Sequence, residues 1–180
     1  ETNLPWNKAN KEKMLTQLRA HLGSARIVCS SSPPMSHDET YQPGGTMLTC
    51  VGPQSGRMMK TGSDPWGRFA WTELRGERDE GILVISAYRV SQTKGTNAGP
   101  TTAYSRQINE MIKSGDFSLD PRSKILEDLR TLITTKRAEG FRPILMMDAN
   151  EDWVQSNNSF RQFMEDMHLV DPLYEKFKDS

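Results

Sequence analysis

The chain has 180 residues, of which 23 are basic and 23 acidic, so its formal charge cancels and its isoelectric point lies near 7.1. A charged fraction of 26% beside 35% hydrophobic residues excludes collagen-like, mucin-like and wholly disordered chains, and the length fits one domain with its own core. The neutral balance also removes the simplest argument for nucleic acid, a strongly basic domain, while leaving room for a local basic face.

Residues 7–22 place Met14, Leu15, Leu18 and Leu22 at helical spacing, and Gly23 follows where a left-handed cap belongs. Strand-like runs come next at 25–31, 45–51, 57–60, 68–75 and 81–88, each bounded by Gly, Pro, Ser or Asp. Within the last of them, Ile82-Leu83-Val84-Ile85 is a continuous apolar run, which predicts a strand covered on both faces. A polar loop spans 91–102, a length that often goes with function. A helix of weaker signal covers 103–113. The clearest helix has Asp120 as its cap and Pro121 at its first position. It lines Ile125, Leu126, Leu129, Leu132 and Ile133 on one face and ends at Gly140. Residues 143–147 (Pro-Ile-Leu-Met-Met) repeat the buried-strand character, and a helix over 159–167 buries Phe160, Phe163, Met164 and Met167. Strands mixed with helices imply helices outside a layered sheet core. No internal repeat, heptad array or run of ~18–20 apolar residues interrupts this pattern.

Cys29 and Cys50 both sit in apolar stretches, where buried free thiols are expected ahead of a bridge. His21, His37 and His168 have no metal-ligand spacing to another His, Cys or acid. Gly44-Gly45-Thr46 is a turn entering a strand and not a phosphate loop, because no Lys-Ser/Thr follows it.

Polar residues that follow buried strands carry the candidate chemistry. Asp148, after Ile144-Leu145-Met146-Met147, stands at the carboxyl end of a strand, where open sheets place ligands. Such an acid costs several kcal/mol to desolvate, as a rough scale, unless a cation or donor compensates. Asn150 points to the same side if the strand continues, and its amide suits a carboxylate or phosphate oxygen. The local pattern fits an ordinary Asp/Asn turn equally well. Tyr88 and Arg89 end the other buried strand and offer a hydroxyl and a guanidinium to a phosphate. The plainer alternative is a Tyr ring packed at the sheet margin with its hydroxyl in water. Glu1 before a capped helix says nothing by itself.

Taken together, Glu1-Thr2-Asn3-Leu4 with Trp6, Gly44-Gly45-Thr46, Asp64-Pro65-Trp66-Gly67-Arg68, Ala87-Tyr88 and Asp148-Ala149-Asn150 run through nearly the whole chain in order. This combination resembles the endonuclease/exonuclease/phosphatase superfamily, and most closely the endonuclease domains that accompany reverse transcriptases in retroelements. The resemblance implies an α+β fold, a four-layer αββα sandwich, incomplete here. It implies a divalent cation, Mg²⁺ with Mn²⁺ as a substitute, and cleavage of DNA phosphodiester bonds by an activated water. It matches Glu1 to the metal-binding glutamate and Tyr88 to the tyrosine that touches the scissile phosphate. Asp148 matches the aspartate that orients or deprotonates the water, Asn150 its phosphate-holding partner, and Arg89 stands as a substrate-binding residue. The glycine that precedes this aspartate in the family is Met147 here.

The family's first strand, with its asparagine, and its late Ser-Asp-His motif are not found in residues 1–180. A single incomplete domain is therefore expected, a piece of a longer chain, weak or inactive alone. The partners expected are DNA and a reverse transcriptase domain in the parent, with no membrane, in an intracellular setting that includes the nucleus. Two alternatives remain open on the sequence: the same fold acting on a phosphoinositide, sphingomyelin or nucleotide, and a degenerate domain that only binds.

Overall fold

The structure, a computed structural model, describes residues 1–33, 42–76, 80–91, 99, 101–118, 120–151 and 158–177. Helix α1 (Lys8–Leu22) is capped by Asn7, whose side chain accepts from the Asn10 N–H. It ends where Gly23 takes φ +77°, a conformation open to glycine. Strands β1 (Ala25–Ser30) and β2 (Thr46–Val51) pair antiparallel as a two-stranded sheet. A 3₁₀ turn (Gly52–Arg57) then leads into β3 (Met58–Ser63), β4 (Phe69–Arg75) and β5 (Gly81–Tyr88). Helices α2 (Ala103–Lys113) and α3 (Pro121–Ala138) precede β6 (Phe141–Asp148), which joins β5 in parallel. The second sheet thus has the order β3-β4-β5-β6. Helices α4 (Ser159–Asp166) and α5 (Pro172–Phe177) follow.

Four layers result. Helix α1 packs on β1; β1 lies over β3 and β4, and β2 over β4 and β5; α3 packs on β6 and on α4. Leu48, Cys50 and Met58 bury between the sheets, with Val28, Leu74 and Val84 packed against them. On the other face of the larger sheet Leu83, Ile85 and Ala87 meet Ile125, Leu126, Leu129 and Ile133 of α3 and Phe163 of α4. Each such Leu or Ile contributes about 1.5–3 kcal/mol by leaving water. The fold is the α+β sandwich that the mixture of strands and helices implied.

Two expectations need correction, and one helix packs only shallowly. The strand read at 57–60 continues to Ser63, past Gly62, where an added Cβ would lie 2.4 Å from the Trp71 ring. The glycine admits a neighbour's indole there and does not end the strand. Strand β6 is not covered on both faces: Ile144 and Met146 are 49% and 51% exposed. Among the described residues the smaller sheet stops over β5, so the inner face of β6 is open. Pro143, which has no N–H to give a ladder, fits this edge position. Finally, α1 buries none of its residues fully, and Leu22 is exposed.

Cys29 and Cys50 are both free and buried. Cys29 pairs with Met47 and Cys50 with Arg26, three positions apart along the ladder. That offset is about 10 Å at strand rise, beyond the roughly 7 Å limit for a bridge. Among the described residues no helix is long and apolar enough to cross a membrane.

Candidate active site

The site forms where the opening segment meets the carboxyl ends of β5 and β6. Thr2 and Asn3 donate their N–H groups to the carbonyls of Gly45 and Gly44 at 3.0 and 2.9 Å. The Trp6 indole donates to the Thr2 hydroxyl at 3.0 Å, and Trp6 is buried. Gly45 has φ +83°, and a Cβ there would lie 2.8 Å from the Thr2 hydroxyl oxygen and 3.0 Å from the Ser30 carbonyl oxygen. Only glycine suits this contact. The Gly44 N–H in turn donates to the Glu1 carboxylate at 2.8 Å.

The Asp64–Arg68 motif supports that turn. One Asp64 carboxylate oxygen accepts from the Trp66 N–H, the Arg68 N–H and Arg68 Nε, each at 3.0 Å. Arg68 also reaches Asp128 on α3 at 2.6 Å and lies over the Trp66 ring at 4.4 Å. Its charge is thereby stabilised despite burial. The Gly67 carbonyl accepts from the Gly45 N–H at 3.1 Å, and the Arg68 carbonyl from the Tyr88 N–H at 2.8 Å. Arg68 is thus an internal strut, so Arg57, Lys60, Arg68 and Arg75 do not form one basic face.

Tyr88 and Asp148 are register partners in the parallel pair β5–β6. The Glu1 carboxylate and the Ser91 hydroxyl both act on the Tyr88 hydroxyl, Glu1 disfavouring and Ser91 favouring its charged form. Burial, the Glu1 carboxylate and the nearby Asp148 charge push the phenol up to about 12, so it stays protonated in neutral solution. Glu1, Tyr88, Val90, Ser91, Thr102 and Tyr104 are among the residues lining a cleft of about 360 Å³. Asp148 lies outside that lining, exposed, with one carboxylate oxygen accepting from the Asn150 N–H at 3.2 Å.

Asn150 is not placed by continuation of the strand. Strand β6 ends at Asp148, Asn150 takes φ +45°, and its amide donates to the Arg89 carbonyl at 2.8 Å. Arg89 is turned away from the cleft and 2% exposed. Its guanidinium donates to the Arg122 carbonyl at 3.0 Å, the Ser159 hydroxyl at 2.7 Å and the Glu151 carboxylate. Burial and the neighbouring Arg122 pull it below the usual guanidinium range. The structure therefore brings Glu1, Tyr88 and Asp148 together, sets Asn150 beside them and directs Arg89 inward.

Ser91, Thr102 and Tyr104 of the cleft were missed as individual residues, although the first two bound the polar loop singled out in the sequence. Residues 92–98 and 100 of that loop lie outside the described residues, as does His37. His21 and His168 are exposed on α1 and beyond α4.

The donor set is oxygen throughout: the Glu1 carboxylate, the Tyr88 phenol and the Ser91 hydroxyl in the cleft, with the Asp148 carboxylate beside it. Hard oxygen donors suit Mg²⁺, which is commonly held by one or two carboxylates together with waters and substrate phosphate. Among the described residues no group of three or more His, Cys, Asp or Glu side chains forms a metal cage.

No family model matches the chain, and no curated protein matches it. Among solved structures it is similar to a β-hairpin deletion mutant of beta toxin from Staphylococcus aureus, with 11% identity and a TM-score of 0.48. That likeness covers 91% of this chain and 57% of the other. Beta toxin 275-280 from the same organism gives 11% identity and a TM-score of 0.48, covering 92% and 56%. The chain spans a little over half the length of these solved chains. Identity this low leaves substrate and chemistry to the residues of the cleft themselves.

Proposed function

We propose that this chain is a divalent-metal-dependent phosphodiesterase of the endonuclease/exonuclease/phosphatase type. In this reading it hydrolyses DNA phosphodiester bonds with an activated water and comes from a retroelement polyprotein that also carries a reverse transcriptase. The observation that carries the reading is the convergence of Glu1, Tyr88 and Asp148, far apart in sequence, at the ends of two parallel strands. Glu1 would hold Mg²⁺, or Mn²⁺ in its place, with Asp148 as a second negative charge nearby. When bound, the cation offsets the charge that develops on the phosphate and leaving oxygen.

The chain's own groups have separate tasks. Tyr88, kept protonated by burial and Glu1, donates a hydrogen bond to a phosphate oxygen. Asp148, held through one oxygen by the Asn150 N–H, accepts the proton of the attacking water on the other. Glu1, fixed by the Gly44 N–H, keeps a second carboxylate facing Tyr88.

The substrate has a second reading with its own support. None of the described cleft-lining residues is Lys or Arg, and hydroxyls and aromatic rings line it instead. Such a lining favours a small or lipid phosphate ester over a polyanion, which recruits Lys and Arg along its backbone. Both are tested together, using the chain with its flanking parent sequence, on plasmid DNA and on nucleotide and phospholipid diesters. Hydrolysis of any of them with Mg²⁺ or Mn²⁺, lost in Asp148→Ala, supports the reading, and the preferred substrate decides between its forms. A folded protein that cleaves none of them ends it.

A further inference from the structure

Two buried guanidinium groups converge on one carboxylate behind the cleft. Glu151 accepts from both Arg89 and Arg122 through the same oxygen. Arg89 leaves β5 directly after Tyr88, Arg122 belongs to the first turn of α3, and Glu151 follows Asn150 beyond β6. The guanidinium groups are nearly enclosed, with 2% and 8% of their side chains exposed, and Glu151 has 18%.

The same cluster holds the backbone at the exits of both strands. Arg122 donates to the Val90 carbonyl and, at 3.1 Å, to the Asn150 carbonyl. The Asn150 side chain closes the circuit on the Arg89 carbonyl at 2.8 Å. Arg89 also ties this point to the start of α4 through Ser159 at 2.7 Å. The Val90 and Asn150 carbonyls thus depend on a guanidinium, Arg122, whose repulsion with Arg89 only Glu151 offsets within the triad. Taking away one partner of a buried ionic cluster leaves uncompensated charge, and the available relief is movement of the strand exits.

We propose that Glu151 is a positioning residue: by clamping Arg89 and Arg122 together it fixes Asn150 and the ends of β5 and β6. Asn150 in turn holds one Asp148 carboxylate oxygen through its N–H. The consequence for hydrolysis rests on the function proposed above; the fixing of Asn150 does not.

The test is Glu151→Gln, similar in size but uncharged, in the chain uniformly labelled with ¹⁵N. The Asn150 side-chain amide, assigned by its loss in Asn150→Ser, is followed by hydrogen exchange, and near-ultraviolet circular dichroism checks that the core is intact. We expect that amide to exchange at least about tenfold faster than in the parent, while core amides of α3 keep their protection. With a diester substrate and Mg²⁺, kcat falls up to about a hundredfold and KM stays nearly unchanged, as misplacement of reacting groups produces. If Glu151→Gln does not fold, Glu151→Asp, which keeps the charge on a shorter side chain, is read in the same way. A folded variant with unchanged Asn150 exchange overturns the proposal, even if its kcat falls. Faster exchange in a protein whose parent hydrolyses no diester sustains the clamp and rejects the phosphodiesterase reading.

Discussion

Tyr88 stands beside Asp148 in the parallel register of β5 and β6, and the next residue, Arg89, donates its N–H to the Asp148 carbonyl at 2.9 Å. Neighbouring strands lie about 4.8 Å apart, so the sheet, and not a loop, sets the backbone spacing of these two groups. Glu1 reaches them from the opening segment by way of the Gly44–Gly45 turn. Such preorganisation is what proton transfer next to a phosphate requires.

The protonated phenol makes stability depend on pH. Burial, with the Glu1 carboxylate beside it, pushes the Tyr88 phenol from 10.0 up to about 12, so folding favours the neutral form. Its contribution is complete below pH 10 and is lost as pH rises toward 12. Urea midpoints of the parent and Tyr88→Phe should therefore differ by a constant amount below pH 10, and the parent should lose ground above it. Parallel curves throughout that window would show that burial and Glu1 do not shift the phenol.

Metal binding should depend on both strand exits. A Mg²⁺ titration followed at the Tyr88 and Arg89 amides is expected to weaken by at least about tenfold in Asp148→Asn. Removal of metal by a chelator should return those amides to their starting positions and abolish diester hydrolysis. An unchanged midpoint in Asp148→Asn would remove Asp148 from the metal site.

Most of the layering is readable from the sequence because periodicity and caps are local signals. Gly81–Tyr88 is read at its exact bounds, and Asp120 and Pro121 mark the start of α3. The short α5 went unread: it has six residues and buries none. The site is only half readable. Adjacent side chains on a strand face opposite sides, so Tyr88 and Arg89 were never both able to face one cleft. Alternation alone contained that signal. The pairing of Tyr88 with Asp148 depends on a parallel register that no local pattern encodes. Glu151 is harder still, since its meaning depends on Arg89 and Arg122, distant in sequence.

The two apolar faces of the β5–β6 pair should differ in energetic weight. Ile85 is fully buried against α3 and α4, whereas Ile144 is half exposed on the inner face of β6. Ile85→Ala is expected to cost about 2–5 kcal/mol, through lost burial and the cavity left behind. Ile144→Ala should cost below about 1 kcal/mol, since much of its surface already meets water. Denaturant titration separates the two, and equal losses would mean that something covers β6.

The thiols offer a check on the packing about the smaller sheet that needs no activity. Burial pushes Cys29 from 9.0 up to about 11, only partly offset by Lys11, and raises Cys50 as well, against the charge of Arg26. The thiolate is the reactive form, so the rise at Cys29 lowers its reactive fraction by about a hundredfold before access is considered. Access is also restricted, at 6% and 8% exposure. An aromatic disulfide reagent at about pH 8 should therefore label neither residue in the folded chain and both after denaturation. Leu48→Ala, which opens the layer containing Cys50, should speed labelling of Cys50 more than that of Cys29. Rapid labelling of Cys50 in the folded parent would place it on the surface and contradict the packing of β2 against the larger sheet.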